Sequence, residues 1–228
     1  MLFPIGDDQV KGGHFPLFSY GFIVLNILIF AFQYSLPAGQ QGAFIHNYGS
    51  VPAETVNGQD LFTLITSMFL HGGTWHLIGN MLFLWVFADN IEATIGNFRF
   101  LTFYLLGGLA AHAAHIYFNW DSTIPTVGAS GAISAVMGAY LVMFPTSRVK
   151  MVFIVFPFRI SAFLFLGFWI WQQTSAGVAA LGVETAQSAG IAWWAHIGGF
   201  VFGVIAGFYY RFNYKVKEPD YYDRRDFV

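Results

Sequence analysis

The feature that most constrains this chain is the way its positive charges fall between long apolar runs. A helix that crosses a bilayer needs about 20 mostly apolar residues. Such runs cover residues 17–33, 98–118, 130–144 (stopped by Pro145) and 191–210. The stretch 151–171 is also apolar but holds Pro157 and Arg159, so its helix is expected to start near Ile160. The run 61–88 is too long for one span and is broken by His71-Gly72-Gly73-Thr74-Trp75-His76. Residues 61–70 read as interfacial or re-entrant, and 76–88 as the visible part of the second span. Six spans put both ends of the chain on one face. On that face lie Lys11, Arg99, Arg148, Lys150, Arg159, Arg211, Lys215, Lys217, Arg224 and Arg225, which are all ten Lys and Arg residues. A seventh span at 61–70 would invert every later loop and destroy the pattern. Cytoplasmic loops carry the excess of Lys and Arg. The expectation is therefore an all-α, polytopic protein of the cell (inner) membrane with both termini cytoplasmic. Residues 1–16 form a cytoplasmic N-terminal segment, 17–210 a six-helix domain and 211–228 a cytoplasmic tail. No cleavable signal peptide is visible, so the first span is expected to act as the insertion signal.

Composition narrows the classes further. Charged residues make up 10% of the chain, against about 25% in soluble domains, so much of the surface is suited to lipid. The formal net charge of −2 argues against a nucleic-acid partner. The absence of cysteine excludes disulfides, thiol nucleophiles and thiolate metal sites.

Orientation assigns depth to the polar residues. His71, His76 and Asn80 fall in the outer half of the second span, Ser130 at the outer start of the fourth and His196 near the outer start of the sixth. Polar groups at membrane depth are costly and face a cavity or one another, so these three clusters suggest a hydrated pocket open to the outside. Ser130, Ser134 and Gly138 form an i, i+4 stripe, and His196 shares a stripe with Gly199, Gly203 and Gly207. Small residues at this spacing let helix backbones approach closely. Plain packing explains the glycines equally well; if the stripes meet, Ser130 meets His196. Such a pair suits acyl transfer, since a serine hydroxyl needs an imidazole to take its proton. Asn80 and His76, four residues apart on one helical face, offer donors for the developing oxyanion, together with the Ser130 amide. No Asp or Glu lies in the outer half of any span, so a Ser–His dyad is expected rather than a triad. The order Gly-x-Ser-Gly with no preceding strand excludes an α/β-hydrolase.

Gly128-Ala129-Ser130-Gly131, Ala195-His196 and His71…His76-Leu77-Ile78-Gly79-Asn80 resemble the signatures of the rhomboid intramembrane serine proteases, and residues 66–92 look like a prokaryotic rhomboid. The resemblance covers roughly residues 17–210. It implies a rhomboid-like six-helix bundle with Ser130 as nucleophile, His196 as general base and acid, and Asn80 and His76 in the oxyanion hole. Gly128, Gly131 and His71 support them. It implies transmembrane protein substrates, cleaved near their outer end after entering beside span 5, under a cap at about 174–190. Two positions depart from the family pattern. Ser134 stands where many members stack an aromatic ring on the histidine, so a hydrogen bond from Ser134 is the expected substitute. Phe62-Thr63 stands in place of a Trp-Arg pair, so the first outer loop is expected to pack differently.

Two rival readings come from other classes. A non-catalytic rhomboid-like binder of transmembrane helices typically lacks the dyad that is present here. A transporter would need polar groups through the inner halves of spans 1, 3, 4 and 6, where there are almost none. His112 and His115, with His71, His76 and His196, could suggest metal or haem, but no intramembrane carboxylate and no His-Glu-x-x-His accompany them. They read as buried polar contacts or cavity lining, with no cofactor and no metal. Trp120, Trp171, Trp193 and Tyr209 read as an interfacial belt, with lining of the pocket as the alternative for Trp193 and Trp194. Oligomeric state is left open.

Overall fold

A computed structural model describes residues 2–8, 10, 12–153, 156–181 and 192–215. Among them, six helices have 14 residues or more: α1 (Leu17–Ser35), α5 (Thr74–Ile95), α6 (Asn97–Phe118), α7 (Ser130–Met143), α8 (Ala162–Ala179) and α9 (Trp193–Asn213). Between α1 and α5 lie three short helices, α2 (Ala38–Tyr48), α3 (Pro52–Val56) and α4 (Thr63–Thr66), and a 3-10 turn at Ser67–Phe69. Residues 61–70 are thus a short, broken helical stretch. By length and hydropathy alone α1 and α6 suffice to cross a bilayer, and α7 is apolar but only 14 residues long. α5 is less apolar because it carries His76, Asn80, Asp89, Asn90 and Glu92.

α7 is the central helix. Twelve of its residues are buried, and it packs on α5, α6, α8 and α9. Its tightest neighbour is α9, and the glycine stripes are the reason. A Cβ on Gly199 would collide with the Gly131 carbonyl oxygen, one on Gly203 with the Ala135 carbonyl, and one on Gly138 with the Phe200 carbonyl. The two backbones are in direct contact, as small residues at this spacing allow. Around this pair the core is aromatic. Phe87, Phe100, Phe103, Tyr104 and Tyr140 are fully or almost fully buried.

The chain is not all-α. β1 (Leu2–Asp7), β2 (Arg148–Phe153) and β3 (Phe156–Ser161) form an antiparallel sheet in the order β1-β2-β3. The apolar stretch after Pro145 is therefore a hairpin first and a helix second. α8 begins only at Ala162, because a proline at 157 fits an outer strand and not a helix interior. Pro4 sits on the edge strand β1, beside an irregularity in register between Pro4 and Gly6. This sheet lies at the C-terminal end of α7, opposite Ser130.

Polar contacts tie the same end together. Asp7 is buried and accepts hydrogen bonds from Asn90 Nδ2 at 2.6 Å and from the Tyr140 hydroxyl. Asp8 accepts from the Arg148 amide at 2.9 Å and pairs with Arg159 at 3.3 Å. Glu92 is completely buried. Its carboxylate receives the Phe18 and Ser19 amides at 2.8 and 2.7 Å and the Ser19 hydroxyl at 2.6 Å. It thereby caps the N-terminus of α1, where the free N–H groups and the helix dipole favour an anion. Gly96, at φ 89°, makes the one-residue link between α5 and α6, a conformation open to glycine and strained for other residues.

Candidate active site

Ser130 is the first residue of α7 and His196 lies in the first turn of α9. The contact between the glycine stripes holds these two helix starts side by side. His196 Nε2 lies 2.9 Å from Ser130 Oγ. Gly128, two residues before the serine, is fixed by two contacts. Its amide donates to the Ser67 carbonyl at 2.9 Å, and its φ of 131° lies where side chains are rarely tolerated. A Cβ at this position would stand 2.7 Å from His76 Cε1, so the His76 ring lies directly over Gly128. Gly131 is packed as closely against Ala111, whose Cβ would stand 2.6 Å from an added Cβ.

Asn80 is buried, one turn of α5 beyond His76. Its Nδ2 has no acceptor among the described residues. Both residues line the same cavity as Ser130 and His196, a cleft of about 940 Å³. His71 is buried and meets His76 edge to face, with 5.2 Å between ring centroids. Its backbone carbonyl accepts from Gln33 Nε2 at 2.7 Å, so the end of α1 pins the loop that enters α5. All seven residues singled out from the sequence, Ser130, His196, Asn80, His76, Gly128, Gly131 and His71, therefore lie in or beside one cleft.

Other expectations need correction. Ser134 does not bond to His196. Its hydroxyl turns back to the Ser130 carbonyl at 2.6 Å, and its Cβ lies 3.3 Å from where a Gly199 Cβ would stand. A small residue is required there by the close approach of α9. The imidazole is instead held by α8, whose Gln173 Oε1 is 2.7 Å from His196 Nδ1. The Trp169 ring lies 5.8 Å from the imidazole, centroid to centroid. Sequence reasoning missed Gln173 because it ended the fifth span at 171, whereas α8 runs on to Ala179. The signal was a pair of glutamines following an apolar run. Trp193 and Trp194 follow the alternative reading, lining of the pocket. Trp193 presents its ring edge-on to His196, and Trp194 is stacked on Phe118. Trp120 and Trp171 are largely exposed, as a belt requires.

His112 Nε2 is 3.0 Å from Ser67 Oγ and His115 Nε2 is 2.9 Å from Thr126 Oγ1; both rings line the cleft. They are polar contacts of its wall. The Phe62-Thr63 pair is split, Phe62 exposed and Thr63 buried. Thr63 Oγ1 is bonded to the Asp60 carbonyl at 2.7 Å. Of the expected cap, residues 174–179 belong to α8, and residues 182–190 lie outside the described residues.

The chain is similar to several known proteins. The chain is 28% identical over 195 residues to Rhomboid protein 1, mitochondrial, of Saccharomyces cerevisiae, covering 83% of this chain and 52% of that protein. It is 34% identical over 134 residues to Rhomboid protease GluP of Bacillus subtilis, covering 58% of this chain and 26% of GluP. It is 28% identical over 193 residues to the human presenilin-associated rhomboid-like protein, mitochondrial, covering 81% of this chain and 46% of that one. The chain thus spans about half the length, or less, of these relatives. Residues 58–212, well over half of the chain and including every site residue above, match the family model described as Rhomboid domain, and the chain belongs to the rhomboid family of multi-pass membrane proteins.

Proposed function

We propose that this chain is an intramembrane serine endopeptidase that cleaves single-pass membrane proteins near the outer end of their transmembrane segment. The observation that carries this reading is the 2.9 Å contact between Ser130 Oγ and His196 Nε2, inside a cleft that also holds a buried amide donor on Asn80 with no acceptor among the described residues. His196 takes the Ser130 proton as Oγ attacks the scissile carbonyl carbon. The carbonyl oxygen becomes an oxyanion, received by Asn80 Nδ2, His76 and the Ser130 amide at the start of α7. The tetrahedral intermediate collapses, His196 gives its proton to the leaving amine, and the acyl chain remains on Ser130. Water, deprotonated by His196, then attacks the ester and frees the serine. No Asp or Glu lines the cleft among the described residues, which supports a dyad.

Six spans, at α1 and α5 through α9, carry residues 17–210 across a cell membrane, with residues 1–16 and 211–228 on the cytoplasmic side. In support, Arg99, Arg148, Arg159 and Arg211 cluster at the sheet end of the helices, away from Ser130. Arg211 also reaches the Val142 carbonyl near the end of α7 at 2.6 Å. At 1.5 Å per residue, α7's 14 residues cover about 21 Å of a hydrocarbon core about 30 Å thick. A helix that reaches the inner boundary thus starts below the outer one, and Ser130 is recessed within the membrane. Substrates enter from the side past α8.

The test uses purified protein in liposomes with a fluorescent single-span substrate. The wild-type protein cleaves, and Ser130→Ala and His196→Ala do not. A fluorophosphonate probe labels Ser130. Substrate binding without cleavage by the wild-type protein would instead leave a binder of transmembrane helices.

A further inference from the structure

We propose that Gln173 is the positioning residue for His196 and sets the tautomer in which the imidazole works. The inference rests on the protease reading above. Gln173 lies on the face of α8 that packs inward, with Ala162, Leu166 and Gly177. It is 6% exposed. On the same face, Trp169 stands one turn before it and Gly177 one turn after. The Trp169 ring lies against His196 and Phe200. A Cβ on Gly177 would stand 3.2 Å from Ile197 Cδ1 and 3.4 Å from Trp193 Cβ. This close contact between α8 and α9 holds Gln173 Oε1 at 2.7 Å from His196 Nδ1.

An amide oxygen can only accept a hydrogen bond, so Nδ1 must donate. A neutral imidazole carries one proton. With that proton on Nδ1, the lone pair is on Nε2, the nitrogen 2.9 Å from Ser130 Oγ. The serine hydroxyl then donates to Nε2, the arrangement that proton abstraction requires. In the other tautomer Nε2 carries a hydrogen and takes no proton from serine. Carboxylates orient the histidine in this way in serine-protease triads. Here a neutral amide does so, in a region where a carboxylate would be costly to bury. Gln173 also does the work that Ser134 cannot, since the Ser134 hydroxyl is committed to the Ser130 carbonyl. Because Gln173 is on α8, any movement of α8 away from α9 releases Nδ1.

The experiment compares wild type, Gln173→Met and Gln173→Glu as full chains in lipid nanodiscs. Methionine keeps the length and apolar packing but accepts only weakly, and glutamate keeps an oxygen in place. Nitrogen-15 histidine spectra, with the His196 signals assigned by their loss in His196→Ala, read the tautomer directly. The wild type and Gln173→Glu show Nδ1–H, whereas Gln173→Met moves towards Nε2–H. In parallel, Gln173→Met lowers kcat on the single-span substrate by about tenfold, the worth of one ordinary hydrogen bond. Its KM stays within about twofold, and Gln173→Glu recovers kcat. A wild-type His196 with Nδ1 unprotonated, or a Gln173→Met kcat within twofold of wild type, overturns the proposal. A wild-type protein that shows Nδ1–H but does not cleave overturns the protease reading and leaves the placement of Gln173 standing. If Gln173→Met fails to fold, the wild-type spectrum and the Gln173→Glu variant still decide.

Discussion

Gly203 of α9 lies against the carbonyl of Ala135 of α7, with no room for a Cβ between them. Gly199 and Gly207 repeat the contact one turn to either side, at Gly131 and Ala139. The distance between Ser130 and His196 is therefore set by backbone against backbone, a spacing that side-chain rotamers cannot relax. Gly203→Ala must move a helix, and overpacking of this kind costs about 1–3 kcal/mol. Thermal unfolding in detergent is expected to shift to lower temperature, and kcat to fall by at least about tenfold as the dyad opens. Gly42 is the control. It lies within α2, and a Cβ there meets nothing within 4 Å. Gly42→Ala is expected to leave activity unchanged and stability level or slightly raised, since alanine restricts the unfolded chain. Equal behaviour of the two variants would show that the α7–α9 contact does not hold the site.

Asn80 separates catalysis from stability. Its Nδ2 is buried and has no protein acceptor among the described residues, so removing it breaks no hydrogen bond that these residues supply. Asn80→Ala is expected to lower kcat by about 10²–10³, the effect of losing one oxyanion donor. KM should change little, and the melting temperature should stay level or rise. A variant that loses activity only in proportion to lost folded protein would make Asn80 a structural residue.

The glycine stripes and the polar residues of the cleft were legible because they follow helical spacing, and their partners were limited by which helix starts share a face. Ser130, Ser134 and Gly138 lie on one line, as do His196, Gly199 and Gly203. The charge pattern likewise marked the loop 145–161 as the positive side. Its conformation was not legible. An apolar stretch such as Met151–Phe153 suits strand or helix, and one of its two partner strands lies more than 140 residues away at Leu2–Asp7. A local pattern cannot report that pairing. Ser134 was misread for a related reason. A hydroxyl within a helix can bond the carbonyl four residues back, and nothing in the spacing decides between that bond and one to His196. Gln173 was hidden by a helix end placed too early.

Glu92 is expected to be a folding residue. Three donors of the α1 start converge on it, and a hydrogen bond to a charged group contributes about 1.5–3 kcal/mol net. Glu92→Ala strands the Phe18 and Ser19 amides, and a large drop in melting temperature follows. Glu92→Gln keeps an acceptor oxygen and gives a smaller drop. The folded fraction of either variant should retain wild-type kcat, because Glu92 is at the far end of α5 from His76. Normal melting of Glu92→Ala would exclude the capping role.

The N-terminal strand supplies the last prediction. Tyr140, buried in the last turn of α7, gives its hydroxyl to Asp7 of β1 and lies 2.8 Å from Ser147 Oγ in the turn before β2. One phenol thus joins the strand, the hairpin and the helix that begins with Ser130. Tyr140→Phe keeps the ring, including its edge-on contact with Phe87, and removes only the hydroxyl. Asp7 retains Asn90 as donor but loses the link to α7. A loss of stability of about 1–3 kcal/mol is expected, as for a buried group deprived of its partner. Faster protease cutting before residue 10 should accompany it as β1 detaches from β2. Tyr140 is ten residues along α7 from Ser130, so the folded protein should keep wild-type kcat and full labelling by a fluorophosphonate. Unchanged protection of the first residues in Tyr140→Phe would mean that the β1–β2 ladder alone holds the strand. A fall in kcat without a fall in stability would mean that the sheet end of α7 communicates with the serine.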